Sequence, residues 1–474
     1  MSDPDQFARE SLRLLGQAPE NWVPPRDGFD HNVLIVGGGQ GGSAFAYALR
    51  RAGIGGVSVI DAAADATQAG VWLTRARMHK LRTVKNLVGP ELANTALGFQ
   101  AWYEARHGSE AYAALDRIPR TDWAAYLDWF RRFLEIEVRY GTQLTEIAPL
   151  SGAAVPGLAL QLVVNGQVRK ETTRKLILAN GVAGNGAPLL PPFLRPAVTA
   201  GVAAHTADPI DFAALAGRTV AVIGAAASAF DAAAVALEAG AAAVHLFARR
   251  DHIAACAVAK PRGYTGFYDH FPRLPDAHRW HHAVRYRRAG STPPPDAVRR
   301  VLAHCNFHLH LASPWEAARV EDGRVVADVN GRDFTFDFVI AGTGYSIDPA
   351  HRPELARIAP LVARWRDRYT PPAGERDDAL GASPYLGDGL QYNEKITGTA
   401  PWLGAIHVYN PAGYATVGVP LGDVPSMRRD IPAAVRRISE DLFLADLDLH
   451  EARARVEVEP DFGPELYAGA VWRG

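Results

Sequence analysis
The chain has 474 residues, with 50 Lys+Arg against 51 Asp+Glu. That length allows about three domain-sized units or two large ones, and the balanced charge offers no global basic field for nucleic acid or an anionic membrane. Hydrophobic residues make up 48% and charged residues 21%, the proportions of an ordinary globular protein rather than a disordered or fibrous one. Two cysteines, Cys256 and Cys305, exclude a disulfide framework, a four-cysteine zinc site and a C-x-x-C redox pair. They fit a reducing compartment. No signal-like apolar run occurs between Met1 and Ala18, and no apolar stretch is long enough for a membrane span. A cytoplasmic protein with no membrane and no nucleic-acid partner is expected.

In chain order, Phe7, Leu14 and Leu15 share a face of a short predicted helix that Pro24-Pro25 brings to a stop. Val33-Leu34-Ile35-Val36 then reads as a strand buried on both faces. It runs into Gly37-Gly38-Gly39-Gln40-Gly41-Gly42, an Ala-rich helix over 43–52, and a second strand, Val57 to Ile60, ending at Asp61. Gly37, Gly39 and Gly42 form G-x-G-x-x-G: the first permits the tight turn, the second lets backbone approach a pyrophosphate, and the third lets helix and strand pack closely. The helix N-terminus supplies N–H donors for phosphate, and Asp61 stands where an acid accepts ribose hydroxyls.

Further along, Thr121 or Asp122 is a candidate cap for a helix whose Trp123, Leu127, Phe130 and Leu134 form one stripe, read as core. Leu158 to Val164 and Arg169 to Leu178 read as strands. Ala179-Asn180-Gly181 closes that section, with Gly181 expected at the cofactor. Pro188, Pro191 and Pro192 mark a boundary.

The first layout then recurs. Thr219 to Ile223 is a strand, Gly224, Ala226 and Ala229 take the three glycine positions around Ser228, and a helix leads to the strand Val244 to Phe247. That strand is followed by Arg249-Arg250 and not by an acid. An acid there would repel a 2′-phosphate, whereas guanidinium pairs with it, which favours NADPH over NADH. Tyr264, Phe267, Tyr268, Phe271 and Trp280 line a substrate pocket or form a satellite core. His304, His308 and His310 with Cys305 invite a metal. However, Phe307, Leu309 and Leu311 alternate with the last two histidines as on a half-buried strand, so no metal is expected. Asp430 to Leu442 reads as an amphipathic helix with Pro432 in its first turn.

Several motifs carry a resemblance. The segment from Asp337 to Tyr345, ending Ala341-Gly342-Thr343-Gly344-Tyr345, resembles the A-T-G-Y motif of N-hydroxylating and flavin-containing monooxygenases, with Gly342 inserted. Gly201 to Pro209, centred on His205, resembles the F-x-G-x-x-x-H fingerprint of Baeyer–Villiger and related enzymes, with Thr199 in place of Phe. Gly70-Val71-Trp72 matches a G-x-W that follows the first fold. Arg77 to Leu87 is similar to the flavin-edge R-M-Q…K-D-L segment of amino-acid N-hydroxylases, with His79 for Gln and Asn86 for Asp. The chain thus resembles the two-dinucleotide-domain FAD/NADPH-dependent monooxygenases. His407 to Tyr414 adds a likeness to a bacterial family of FAD-dependent oxidoreductases that includes a urate hydroxylase.

The resemblance implies an α/β fold with two Rossmann-like domains for FAD and NADPH, the second inserted in the first. The expected parts are 1–200 for the first piece of the FAD domain, 201–330 for the NADPH domain with an insertion at 251–300, and 331–474 for the remainder with a C-terminal helix. NADPH would reduce FAD, reduced flavin would add O2 at C4a, and one oxygen atom would pass to a small nitrogen-containing metabolite. Trp72, Met78, Gly344 and Tyr345 would join the two turns and Arg249-Arg250 in binding cofactor. His79, Arg82 and Lys85 would lie at the flavin edge, where a cation stabilises anionic flavin, and Asn410 would contact flavin or substrate. Relatives are dimers or tetramers, leaving a homo-oligomer open. Two other readings are Baeyer–Villiger oxygenation of a ketone and an NAD(P)H-dependent flavoprotein reductase serving a protein partner.

Overall fold
A computed structural model describes residues 3–474. In chain order its strands are β1 (His31–Val36), β2 (Val57–Ile60), β3 (Lys80–Val84), β4 (Arg117–Pro119), β5 (Val138–Arg139), β6 (Thr142–Pro149), β7 (Leu158–Val164), β8 (Gln167–Leu178), β9 (Ala203–His205), β10 (Thr219–Ile223), β11 (Ala243–Phe247), β12 (Phe307–His310), β13 (Trp315–Glu321), β14 (Arg324–Val329), β15 (Arg332–Phe336), β16 (Phe338–Ala341) and β17 (Ile406–Val408).

Two parallel sheets organise the molecule. The first runs β5-β2-β1-β8, with β17 on the far side of β8's C-terminal half. The N-terminal half of β8 pairs antiparallel with β7, and β7 with β6. The second sheet, β12-β11-β10-β16-β9, is parallel throughout, and β13-β14-β15 forms an antiparallel meander leading into β16. Each unit thus repeats one plan: strand, glycine turn, helix and strand, then an antiparallel meander feeding a strand back beside the first. β9 through β16 lie between β8 and β17, so the second sheet is inserted in the chain of the first. Because β16 is hydrogen-bonded into the second sheet, the chain leaves that unit after Ala341, beyond the expected boundary at 330.

Val33, Leu34 and Ile35 are fully buried, as a strand covered by helices on both faces requires. The outward and returning connections lie against each other. Leu189 N–H donates to Gly344 O (2.9 Å), Ser346 N–H donates to Ala187 O (2.8 Å), and Thr343 Oγ1 donates to Leu189 O. Pro188 and Tyr345 form an antiparallel bridge. The Pro-rich boundary is therefore half of a two-stranded link.

Several expected elements are adjusted. The helix Pro4–Leu15 forms, but it buries Ala8 and leaves Phe7, Leu14 and Leu15 more than half exposed. The Trp123 stripe is core, as read; its helix, Arg120–Phe133, starts too early for Thr121 or Asp122 to cap it. The C-terminal helix spans Val424–Ala445, which puts Pro432 inside it. On β12, at the sheet edge, Leu309 is exposed, as is Leu311 just beyond the strand, while His310 stacks on Phe247 at 4.4 Å. Phe271 and Trp280 are buried and Tyr264 is not. Trp280 packs with Trp365, Leu380 and Tyr414, so the 251–300 insertion docks on the returning part of the chain. Among the described residues, no three His, Cys, Asp or Glu group as a metal site, and no helix is long and apolar enough to cross a membrane.

Candidate active site
The first glycine turn is a cradle with one open side. Gly37 has φ +111°, and a Cβ there would sit 2.4 Å from Ala179 O. A Cβ on Gly42 would lie 1.8 Å from Gly37 O, whereas Gly39 has nothing within 4 Å. Backbone is therefore bare where a pyrophosphate approaches, at the N-terminus of the helix Gln40–Arg51. Asp61 accepts N–H bonds from Gly38 and Ala63, both at 2.8 Å, and each oxygen keeps a lone pair for a ribose hydroxyl. Gly181, with φ +61°, is exposed beside this turn's neighbouring strand β8. These residues fit a dinucleotide such as FAD.

The second turn repeats that geometry with a compensation. Gly224 has φ +116°, and its Cβ would sit 2.3 Å from Gly342 O. Ala229 stands at the third glycine position because Gly342 opposite has no side chain; a Cβ on Gly342 would come within 2.7 Å of the Ala229 Cβ. The inserted Gly342 thus makes room for the alanine. Ala226 caps the helix Ala227–Glu238 at its N-terminus, and Ser228 is exposed in the first turn. A cavity of about 680 Å³ opens here, lined by Gly224, Ala226, Arg249, Arg250, Trp315 and Thr343 among others. Its two adjacent arginines differ. Arg250 donates to the carbonyls of Ala289 (3.0 Å) and Arg288 (2.8 Å), holding the end of the helix Asp276–Ala289. Arg249 is exposed and, among the described residues, has no hydrogen-bond or ion-pair partner.

Three motifs meet where the units join. Arg77 donates to Thr206 O (2.6 Å) and Asp208 O (3.2 Å), while its own carbonyl accepts from Arg300 Nη1 (3.1 Å). His205 lies edge-on to Tyr345 at 5.4 Å. Arg300 also pairs with Asp231 (3.3 Å) and Glu238 (2.8 Å), carboxylates on the helix that follows the second glycine turn. Met78 and Trp72 are half-buried nearby in sequence, and Trp72 O accepts from Arg120 (2.6 Å).

The residues expected at the flavin edge divide. His79 is exposed, 3.8 Å from Glu238 across the junction. The Lys85 ammonium donates to Tyr112 O (2.7 Å) and Ala113 O (3.0 Å), the end of the helix Ser109–Ala114. Asn410 is buried and uses its whole side chain internally: it accepts from Ala412 N–H and donates to Asn180 Oδ1 and Gly184 O, each at 3.1 Å. It pins two loops, and each of its polar atoms already has a partner inside the protein. Arg82 alone of the four faces an open cleft.

That cleft supplies residues the sequence reading missed. Arg82 is exposed to solvent yet walled in, and the walls lower its pKa against the opposing fields of Asp231, Asp423 and Tyr286. Asp423 is the N-cap of the helix Val424–Ala445 but makes no capping bond. Among the described residues its carboxylate has no hydrogen-bond or ion-pair partner. Asp423 is itself exposed, but protein crowds it from the sides, and that crowding pushes it up to about 6, with Arg82 opposing the rise. Tyr286 stacks on Tyr414 at 4.6 Å. Enclosure raises the Tyr286 hydroxyl, Asp423 adding to the rise and Arg82 opposing it. Gln40 ties this corner to the first glycine turn, donating to Gly422 O (2.6 Å) and accepting from Trp123 Nε1 (3.0 Å). The signal for Asp423 was present in sequence: an Asp two residues before Pro425 is a helix-start pattern.

Two glycine-turn units with open phosphate cradles, joined over a charged cleft, define a two-dinucleotide flavoprotein, and comparison with known proteins agrees. Residues 31–262 match the family described as pyridine nucleotide-disulphide oxidoreductase. The chain is 36% identical over 442 residues to the FAD-dependent urate hydroxylase of Xanthomonas campestris pv. campestris, covering 92% of each chain. It is similar in structure to the ornithine hydroxylase of Pseudomonas aeruginosa (TM-score 0.67, 17% identity, 87% of this chain and 99% of that one). It is also similar to the Kutzneria sp. 744 ornithine N-hydroxylase solved with reduced FAD, NADP+ and L-ornithine (TM-score 0.65, 15% identity, 86% and 99%). The chain belongs to the family of the FAD-dependent urate hydroxylase, and it is an FAD-dependent hydroxylase of the flavin monooxygenase class.

Proposed function
We propose that this enzyme uses NADPH and FAD to place one oxygen atom from O2 on a small nitrogen-containing metabolite, with urate the first substrate to test. Identity of 36% over 92% of the length with a urate hydroxylase supports that substrate class. The observation that carries the reading is the cleft: Asp423 and Arg82 are both exposed and without a side-chain partner among the described residues, and each feels the other's charge where Asp231 of the second unit and Tyr286 of the 251–300 insertion also act.

FAD would lie on Gly37, Gly39, Gly42 and Asp61, and NADPH on Gly224, Ala226, Ser228 and Arg249. Flavin held there would pass the two electrons of NADPH to O2 and so activate it. Arg82 holds an anionic substrate by charge, in a site whose walls strengthen the attraction. Asp423, ionised above about pH 6, accepts a proton from a substrate N–H. Tyr286 and Tyr414 cover the substrate and exclude water. His79 and Lys85 act at one remove: His79 meets the NADPH unit through Glu238, Lys85 secures the segment carrying Arg82, and Asn410 pins the loops beneath the cofactor.

The absence of a cysteine pair argues against a dithiol reductase, since Cys256 and Cys305 are far apart in sequence and both exposed. The purified protein should carry FAD, and urate should accelerate NADPH consumption. A colourless chain that does not take up FAD, or NADPH oxidation unchanged across a panel of purines and amino acids, would refute the proposal.

A further inference from the structure
The last part of the chain stands apart from the body. Every residue from 451 to 474 except Gly463 is exposed. Large apolar side chains are among them: Val458 is 87% exposed, Leu466 73% and Trp472 88%. The segment after Arg455 also carries Glu457, Glu459, Asp461 and Glu465 against one arginine, Arg473. It is an acidic, apolar arm, and a chain segment of this make-up gains by being covered.

A groove of matching character lies elsewhere on the surface. It encloses about 550 Å³ between the helix Pro4–Leu15, the helix Gln40–Arg51 and the long helix Val424–Ala445. Leu15, Leu92, Pro432 and Val435 give it an apolar lining. Arg51 and Arg436 are the charged residues in its wall, with no acid among the lining residues. Arg436 is exposed and, among the described residues, has no hydrogen-bond or ion-pair partner. The groove and the root of the arm share one helix: Val435, Ser439 and Phe443 follow at four-residue spacing on one face, and the arm begins a short helix further on. Phe443 and Leu444 are themselves exposed. A twofold pairing of two such faces would present each arm to the other copy's groove, a self-complementary contact.

We propose that residues 455–474 of one copy dock in the groove of a second copy, so that the enzyme is a twofold dimer held by exchanged arms. Light scattering on the flavin-loaded full chain should give twice the chain mass. Deleting residues 455–474 removes no buried residue, and the shortened enzyme should be monomeric at the same concentration with its flavin content and NADPH oxidation unchanged. Arg51→Glu with Arg436→Glu should weaken dimerisation at least tenfold, and Glu457→Arg with Glu459→Arg should restore it in that background. A full chain that stays monomeric at high concentration, including one with its arm protected on its own groove, would overturn the proposal. So would a dimer that survives deletion of the arm or reversal of the two arginines.

Discussion

Arg249 and Arg250 adjoin in sequence but face different tasks. Arg250 is committed to carbonyls at the end of a helix, and Arg249 is free beside the second glycine turn. Arg249→Ala should raise the KM for NADPH roughly tenfold, about 1.4 kcal/mol, and leave that for NADH unchanged, because only a 2′-phosphate is lost as partner. Arg250→Ala should weaken both cofactors alike by loosening the helix end. Steady-state kinetics with the two nucleotides separates these outcomes. Asp423 makes a second prediction at this scale. Its carboxyl is protonated below about pH 6 and charged above it, so kcat/KM should rise with pH through that point. Asp423→Asn should flatten that limb and lower kcat roughly 100-fold, as loss of a general base does. A pH profile that keeps its inflection in the variant would assign the titration to another group.

Among the elements, β17 carries a buried ionisable group. His407 is fully buried, its Nδ1 lies 2.8 Å from Gly389 O, and burial followed by the Lys175 charge pushes it down to about 3. It is neutral in the fold but charges near the ordinary histidine pKa of about 6.5 in the unfolded chain. Unfolding therefore takes up a proton between about pH 6.5 and 3, and stability falls as pH drops through that window, by at most ~1.4 kcal/mol per pH unit. His407→Gln should show a shallower loss in urea unfolding between pH 7 and 5; an unchanged slope would mean that His407 is not the group responsible. Trp280, fully buried and donating to Glu375 O at 2.9 Å, holds the insertion onto the returning chain. Trp280→Phe should lower the melting temperature and raise the KM for substrate more than that for NADPH, since it is the cleft wall carrying Tyr286 that loosens.

Across the whole molecule, both dinucleotide units were legible because each is a local pattern: an apolar run, small residues at fixed offsets and a helix. Gly342 is only an extra residue in the local pattern, and its reason lies across the turn in Ala229. What local pattern could not supply is placement. Phe7, Leu14 and Leu15 share a helical face, but the helix turns Ala8 and Leu12 to the body instead. The amphipathic pattern is clear only from Asp430 on, whereas the helix begins at Val424, so Asp423 at its N-cap is marked in sequence by Pro425 alone. Lys85 and Asn410 carry plausible chemistry in sequence, but folding uses both side chains to fasten loops. Arg82, Asp423, Tyr286 and Asp231 come from four separate segments, and only the docking of one unit on the other brings their charges together. Turnover under isotopically labelled O2 with NADPH and urate tests most directly whether this convergence serves oxygen insertion. Product should carry one labelled oxygen atom for each NADPH consumed, the second atom leaving as water. Unlabelled product, or NADPH consumption matched entirely by peroxide, would contradict it.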